Sequence, residues 1–218
     1  MASMDPVIDT YNRHARQYDR WFDAYPSLFR SELAAVRQMM PAGKQFGLEI
    51  GVGTGRFARE LGIDRGLEPS PEMARMAEKR GIPTTIGMAE EIPFPDNHFD
   101  YAAMITVDCF LKDIPQALRE IRRVLVPGGT LIVGMIDKNS EIGRYYEKIK
   151  DQNPFYRLAR FHSPEEISRQ MKREGFGGFT FCQTLFHLNT DVEELPQPGA
   201  DMGGFVVIRA SVANQPSV

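Results

Sequence analysis

Cysteine is nearly missing from this chain. Cys109 and Cys182 are its two thiols, too few for a disulfide framework and without the spacing of a metal site. A reducing cytoplasm is the expectation that follows. Long apolar runs are missing too, since none approaches the ~20 residues of a membrane span. The opening Met1-Ala2-Ser3-Met4-Asp5-Pro6 lacks the basic-then-apolar order of a secretion signal. An excess of positive charge is absent as well: the formal net charge is −3, whereas a nucleic-acid partner calls for a clearly basic surface. Lys and Arg do gather in residues 138–173, but Glu141, Glu147, Asp151, Glu165 and Glu166 interleave with them, as on a solvated helical face. His14, His98 and His187 show no ligand spacing, and no metal is expected. No internal repeat or low-complexity tract is visible.

With 218 residues and 42% hydrophobic content, the chain can bury one sizeable core, and its length favours a single domain. The most informative stretch is Phe46-Gly47-Leu48-Glu49-Ile50-Gly51-Val52-Gly53-Thr54-Gly55-Arg56-Phe57. It reads as a buried strand, a turn with glycine at every second position, and the start of a helix. Such a turn lets backbone approach a ligand closely and aims free N–H groups at it. A dinucleotide fingerprint would be G-x-G-x-x-G; here Arg56 stands where the third glycine belongs. Glu49, two residues before the first glycine, suits a ligand carrying positive charge better than a pyrophosphate. Glu68 closes the next short apolar run and is placed to accept hydrogen bonds from a ribose diol.

Elsewhere the pattern alternates. Val7, Tyr11, Ala15 and Tyr18 share one helical face, and Leu28, Phe29, Leu33, Val36 and Met40 predict a second helix ending at Pro41-Ala42-Gly43. Strands are expected at about 46–50, 65–68, 83–87, 99–105 and 130–136. Helices are expected after Ser70, around Leu118–Leu125, and after the capping box Ser163-Pro164-Glu165-Glu166. Two final runs, about 179–186 and 205–211, read as a β pair, and Asn214–Val218 as a fraying tail. Alternation of this kind predicts a parallel sheet with helices on both faces.

Five ordered motifs carry a family resemblance: Leu48-Glu49-Ile50-Gly51-Val52-Gly53-Thr54-Gly55, Leu67-Glu68-Pro69-Ser70-Pro71-Glu72-Met73, Gly87-Met88-Ala89-Glu90-Glu91-Ile92-Pro93-Phe94, Phe99-Asp100-Tyr101 and Leu125-Val126-Pro127-Gly128-Gly129. From about Tyr11 to Ser211 the chain resembles the class I S-adenosylmethionine-dependent methyltransferases, and among them the small type-11, quinone-biosynthesis-like group. The resemblance implies a single Rossmann-like α/β domain with a seven-stranded, mostly parallel sheet whose last two strands form an antiparallel hairpin. Residues 1–42 would be a helical lid, 43–137 the cofactor-binding core, 138–175 a helical cover on the acceptor side, and 176–211 the C-terminal β pair.

It also implies where S-adenosylmethionine sits. Gly51, Gly53 and Gly55 would cradle it, Glu49 would set its methionine end, and Glu68, with Pro69 and Met73 beside it, would take the ribose. Ala89 would meet the adenine ring through its N–H. Relatives commonly place Asp before that alanine; this chain has Met88, a weak acceptor, and Glu90 is a candidate to replace it. Ile105 and Thr106 would offer carbonyls to the cofactor ammonium, with Tyr11 and Tyr18 closing from the lid. For the transfer step the candidates are Asp108, Tyr18 and His162, although Asp108 also fits a loop or cap acid and His162 a structural residue beside the Ser163 cap. Cys109 fits a buried small residue better than a nucleophile. Two aromatic-rich segments, Tyr11 to Tyr25 and Tyr145 to Phe161, suit either an acceptor pocket or ordinary packing. The expected activity is methylation of a small molecule. A cofactor-binding module without transferase chemistry is the second reading, and a nicotinamide-dependent oxidoreductase the third.

Overall fold

A computed structural model describes residues 5–43, 45–188 and 191–213; the expected loose tail Asn214–Val218 lies outside them. The first helix, α1 (Pro6–Ala24), starts where the Asp5 carboxylate accepts the Val7 N–H at 2.8 Å, and it kinks at His14. The second, α2 (Pro26–Met39), runs into the Pro41 breaker. The alternating body follows: β1 (Gly47–Ile50), α3 (Arg56–Leu61), β2 (Arg65–Glu68), α4 (Pro71–Lys79), β3 (Thr84–Ile86), β4 (Phe99–Ile105), α5 (Ile114–Val124), β5 (Leu125–Ile136), α6 (Glu141–Ile149) and α7 (Pro164–Arg173). The chain ends in β6 (Phe176–Thr184), β7 (Gln197–Pro198) and β8 (Phe205–Val212).

These strands form one sheet in the order β3-β2-β1-β4-β5-β8-β6-β7. The first five run parallel; β8 and β6 then pair antiparallel, as the expected C-terminal pair. Two details differ from the sequence reading, and one fills it in. An eighth strand of two residues, β7, pairs with β6 at Cys182 and Gln183. β5 begins at Leu125 because Pro127-Gly128-Gly129 forms a bulge within the strand, with Gly128 at φ 75°, and does not separate it from α5. The segment between β5 and the capped α7 holds a further helix, α6, started by Ser140, whose Oγ accepts the Gly143 N–H.

Strand period sorts side chains to the two faces. On β4, Tyr101, Ala103 and Ile105 pack with Ala35 and Val36 of α2 and Phe57 of α3, while Ala102 and Met104 pack with Leu118 and Ile121 of α5 and Ile167 of α7. Both faces are therefore covered, which explains the nearly unbroken apolar run from Phe99 to Ile105. The order reverses between β1 and β4. In open sheets of this kind the crevice at the carboxyl ends flanking that switch is where ligands bind.

Candidate functional site

Four adjacent strand ends converge at the switch: Glu49 within β1, Glu68 closing β2, Ala89 and Glu90 following β3, and Thr106 following β4. The glycine turn after β1 is left-handed at all three glycines, φ 66° at Gly51, 56° at Gly53 and 81° at Gly55, a conformation that disfavours side chains. The sequence reading expected free N–H groups in this turn, but those of Gly51, Val52, Gly53 and Gly55 are all taken. Those of Gly51 and Val52 both donate to the Leu67 carbonyl, at 2.8 and 3.0 Å, and that of Gly53 donates to Glu68 Oε2 at 2.9 Å. The glycines instead provide room. A Cβ on Gly51 would come within 2.4 Å of Val107 Cγ2, and one on Gly55 within 3.0 Å of Ala77 Cα, where α4 crosses. At Gly53 a Cβ would meet nothing closer than Met73 Cε at 3.6 Å and Tyr18 Cε1 at 3.7 Å, so this glycine faces a gap flanked by those two side chains.

Three carboxylates line up along the edge. Glu68 accepts the Gly53 and Ser70 N–H groups, one on each oxygen and both at 2.9 Å; burial nonetheless pushes it up to about 7. Glu49 is 2% exposed, and burial, with the Glu68 charge adding to it, drives its carboxyl well above the usual range. Its Oε2 has no hydrogen-bond partner among the described residues. Glu90 spends Oε1 on the Lys112 and Asp113 N–H groups, at 2.9 and 3.5 Å, while its Oε2 is buried and unpartnered. Buried acceptors without donors are costly. Orphaned carboxylate oxygens near both flanks of Glu68 fit a ligand that brings donors and positive charge, as S-adenosylmethionine does. Ala89 is buried and Met88 and Pro69 half-buried, in a turn where the Glu91 N–H donates to the Met88 carbonyl at 3.2 Å. Ile105 is buried, and Thr106 takes the left-handed conformation, φ 54°, rare for a branched residue, with its N–H held by the Gly134 carbonyl at 2.7 Å.

Helix α1 lies across this corner and is fastened by polar contacts. Asp19 accepts from Thr54 Oγ1 at 2.7 Å, Arg56 Nε at 3.0 Å and Arg80 Nη2 at 2.7 Å. Burial opposes ionisation there, yet these donors hold Asp19 down to about 2. Arg56 also binds Asp23 through two 2.9 Å bonds, and Asn12 Oδ1 accepts the Glu72 N–H at the start of α4 at 3.0 Å. Sequence reasoning missed this latch. Its residues are far apart in the chain, and only the oddity of Arg56 pointed at it.

Beside the corner opens a cavity of about 750 Å³, lined by Tyr18, Thr106 and other residues of α1, α2, α6 and the segment 152–156. Six of the chain's seven tyrosines and its single tryptophan line it, so the two aromatic segments meet there. Tyr11 packs edge-on against Tyr18, with centroids 5.5 Å apart. A second residue that the sequence reading missed is Glu32 of α2, 6% exposed, which also lines the cavity. It interrupts an otherwise apolar stripe of Leu28, Ala35, Val36 and Met39, a signal visible in the sequence. The three candidates for the transfer step separate. Tyr18 is at the cavity wall; Asp108 and His162 hydrogen-bond each other, Oδ2 to Nδ1, at 3.2 Å, and neither lines the cavity. Burial pushes Asp108 up, with His162 partly offsetting it. Cys109 is buried and its thiol pushed well up by burial, unlike an activated nucleophile. No cluster among the described residues could hold a metal ion, and no helix among them is long and apolar enough to cross a membrane.

Comparison with known proteins bears on the family and the fold. Residues 48–133 match the family model described as a methyltransferase domain. A crystal structure from Thermotoga maritima, of an S-adenosylmethionine-dependent methyltransferase described as a possible histamine N-methyltransferase, is 44% identical. It covers 94% of this chain and 99% of its own, with a TM-score of 0.90. An uncharacterised protein of Methanocaldococcus jannaschii is 39% identical over 93% of this chain and 98% of its own length. Demethylmenaquinone methyltransferase of Lysinibacillus sphaericus is 37% identical over a shorter stretch, 39% of this chain and 38% of that protein.

Proposed function

The chain belongs to the class I S-adenosylmethionine-dependent methyltransferases, and from that premise we propose that it transfers the methyl group to a small molecule held in the tyrosine-lined cavity. One observation carries the reading: unpartnered buried carboxylate oxygens at the ends of β1 and β3 flank Glu68, and Tyr18, which stands beside Gly53, also lines the neighbouring cavity. In this reading Glu49 answers the positively charged methionine end. Glu68 takes the ribose diol with the lone pairs left by its two N–H bonds. Glu90, beside Ala89 and Met88, supplies the adenine acceptor that Met88 cannot. Gly53, Met73 and Pro69 shape the cradle, Ile105 and Thr106 close it from β4, and Tyr11 and Tyr18 cover it from α1.

The cofactor brings an activated methyl group; the protein contributes binding and alignment, which can lower a barrier by roughly 7–11 kcal/mol. Tyr18, like Tyr11 and Thr106, belongs to both the cradle and the cavity, and it orients the acceptor while α1 keeps water out. Asp108 and His162 act as a brace, tying the turn after β4 to the residue preceding the α7 cap. Calorimetry with S-adenosylhomocysteine, followed by cofactor turnover across a metabolite panel, tests the reading. Binding with acceptor-dependent turnover is expected. Binding with no turnover on any acceptor would instead favour a module that senses the cofactor, and stabilisation by a nicotinamide cofactor alone would reject the family's ligand.

A further inference from the structure

Glu32 stands outside the cofactor cradle described above, and its charge is opposed by burial alone. It occupies the buried face of α2 beside Leu28, Ala35 and Val36, and it has no hydrogen bond or ion pair among the described residues. It is the one carboxylate among the residues lining the cavity; no lysine or histidine lines it, and its one cation, Arg20 of α1, is exposed. Around it stand ring faces. Tyr146 and Tyr156 lie with centroids 5.0 Å apart at 41°, and Trp21 and Tyr25 at 5.8 Å and 45°. Aromatic walls around an unpaired carboxylate form a receptor for an organic cation: the rings attract it through their quadrupoles and the acid neutralises it. An uncharged acceptor would leave Glu32 protonated and gain no charge attraction from it, so the lining favours a cation.

Building on the methyl-transfer reading above, we propose that the acceptor is a primary or secondary amine, bound as its ammonium against Glu32 within the aromatic walls, and that Glu32 takes the proton that must leave before nitrogen can attack. The step balances simply. The N–H bond breaks, its proton going to the Glu32 carboxylate and its electron pair remaining on nitrogen. That pair forms the N–C bond while the C–S bond breaks and its electrons go to sulfur, leaving a neutral thioether. The methylated amine emerges as an ammonium, and the net proton passes through Glu32 to solvent. Burial pushes Glu32 up to about 8, closer to an amine's proton affinity than an ordinary carboxylate, and a matched pair transfers protons efficiently. The titratable groups facing it are the hydroxyls of Tyr18 on α1, Tyr146 on α6 and Tyr156 in the following segment. All are raised first by burial, with Glu32's charge adding to it, so they stay neutral and leave the proton to Glu32.

The test uses the full chain, wild type and Glu32→Gln. Calorimetry with S-adenosylhomocysteine comes first. Equal affinity within about two-fold is expected, and failure of the wild type to bind would sink the methyl-transfer reading independently of the amine assignment. With that ligand saturating, 2-phenylethylamine, histamine, 2-phenylethanol and 4-ethylphenol are titrated near pH 7.5 in two buffers of different ionisation heat. At least one amine should bind about ten-fold or more tighter than the alcohol and release a proton on binding. Glu32→Gln should abolish both effects while leaving the alcohol unchanged. If Glu32→Gln does not fold, Trp21→Leu decides, with at least a three-fold loss expected for the amine alone. Amines that fail to bind, amines indifferent to both substitutions, or Glu32-dependent preference for the phenol would overturn the proposal.

Discussion

Replacing Glu32 by glutamine should make the ligand-free protein more stable, increasingly so as pH rises. The carboxyl has an ordinary value of 4.5 and is pushed up to about 8 in the fold by burial, so between those values the native state holds a proton that the unfolded chain has lost. Stability falls with pH where the native state binds more protons, at up to about 1.36 kcal/mol per unit for one group. Near pH 5.5 the wild type loses about 1 kcal/mol to this group, and near pH 8.5 about 4 to 5 kcal/mol, by the same relation. Glutamine is nearly the same size and cannot ionise. The stability difference between variant and wild type should therefore grow by about 3 kcal/mol across that interval. Urea titrations at the two pH values, compared at equal m-value, measure it directly. A difference that stays flat with pH would mean that Glu32 ionises freely in the fold, and a difference that shrinks would mean that it is stabilised as an anion. Either result would refute the account of an unanswered buried acid.

Other outcomes follow from the corner. Glu68→Ala loses the ribose acceptor; at about 1.5–3 kcal/mol for hydrogen bonds to a charged group, S-adenosylhomocysteine affinity should fall by one to two orders of magnitude in calorimetry. Asp108→Ala should move that affinity no more than a few-fold, and the reverse ranking would reject the roles given to these acids. Gly53→Val should abolish cofactor binding in a folded protein, at some cost in stability from its left-handed backbone, whereas Gly51→Val should lower the melting temperature much further because Val107 also blocks it; equal losses of stability would contradict the gap at Gly53. Asp19→Ala should cost about 2 kcal/mol at neutral pH, from a group held at about 2 against an ordinary 3.8. That contribution is present above about pH 3.8 and disappears as pH falls through about 2, so the variant and wild type should converge in acid unfolding experiments.

The fold was legible because its signals are local. Apolar runs, the glycine turn, Pro71 with Ser70 and the Ser163 box each specify an element from neighbouring residues. β7 was not legible, since two residues carry no periodicity and pair only because β6 is already in place. The bulge at Pro127-Gly128-Gly129 read as a break because the same residue types make turns, and only the pairing of Phe99 with Leu125 makes it part of a strand. At the site, Glu49, Glu68 and the glycines could be found from spacing. The state of the N–H groups could not, because Leu67 and Glu68 reach them across a neighbouring strand end. The Asp19 latch joins residues 35 to 61 positions apart, beyond any helical or strand period. Glu32 could have been found: a carboxylate four residues after Leu28 and four before Val36 stands on the face that those residues bury.

Gly55 has a consequence for how the N-terminal helix is secured. In a dinucleotide fingerprint the third glycine permits close packing of the helix after the turn; here Gly55 gives that clearance to Ala77 of α4 one position early. Position 56 is thereby released from steric duty and carries a guanidinium that grips two aspartates of the covering helix. Shortening the motif by a single residue thus converts a spacer into a fastening. A chain with the longer spacing would have the same pocket floor and nothing at that point to hold its roof.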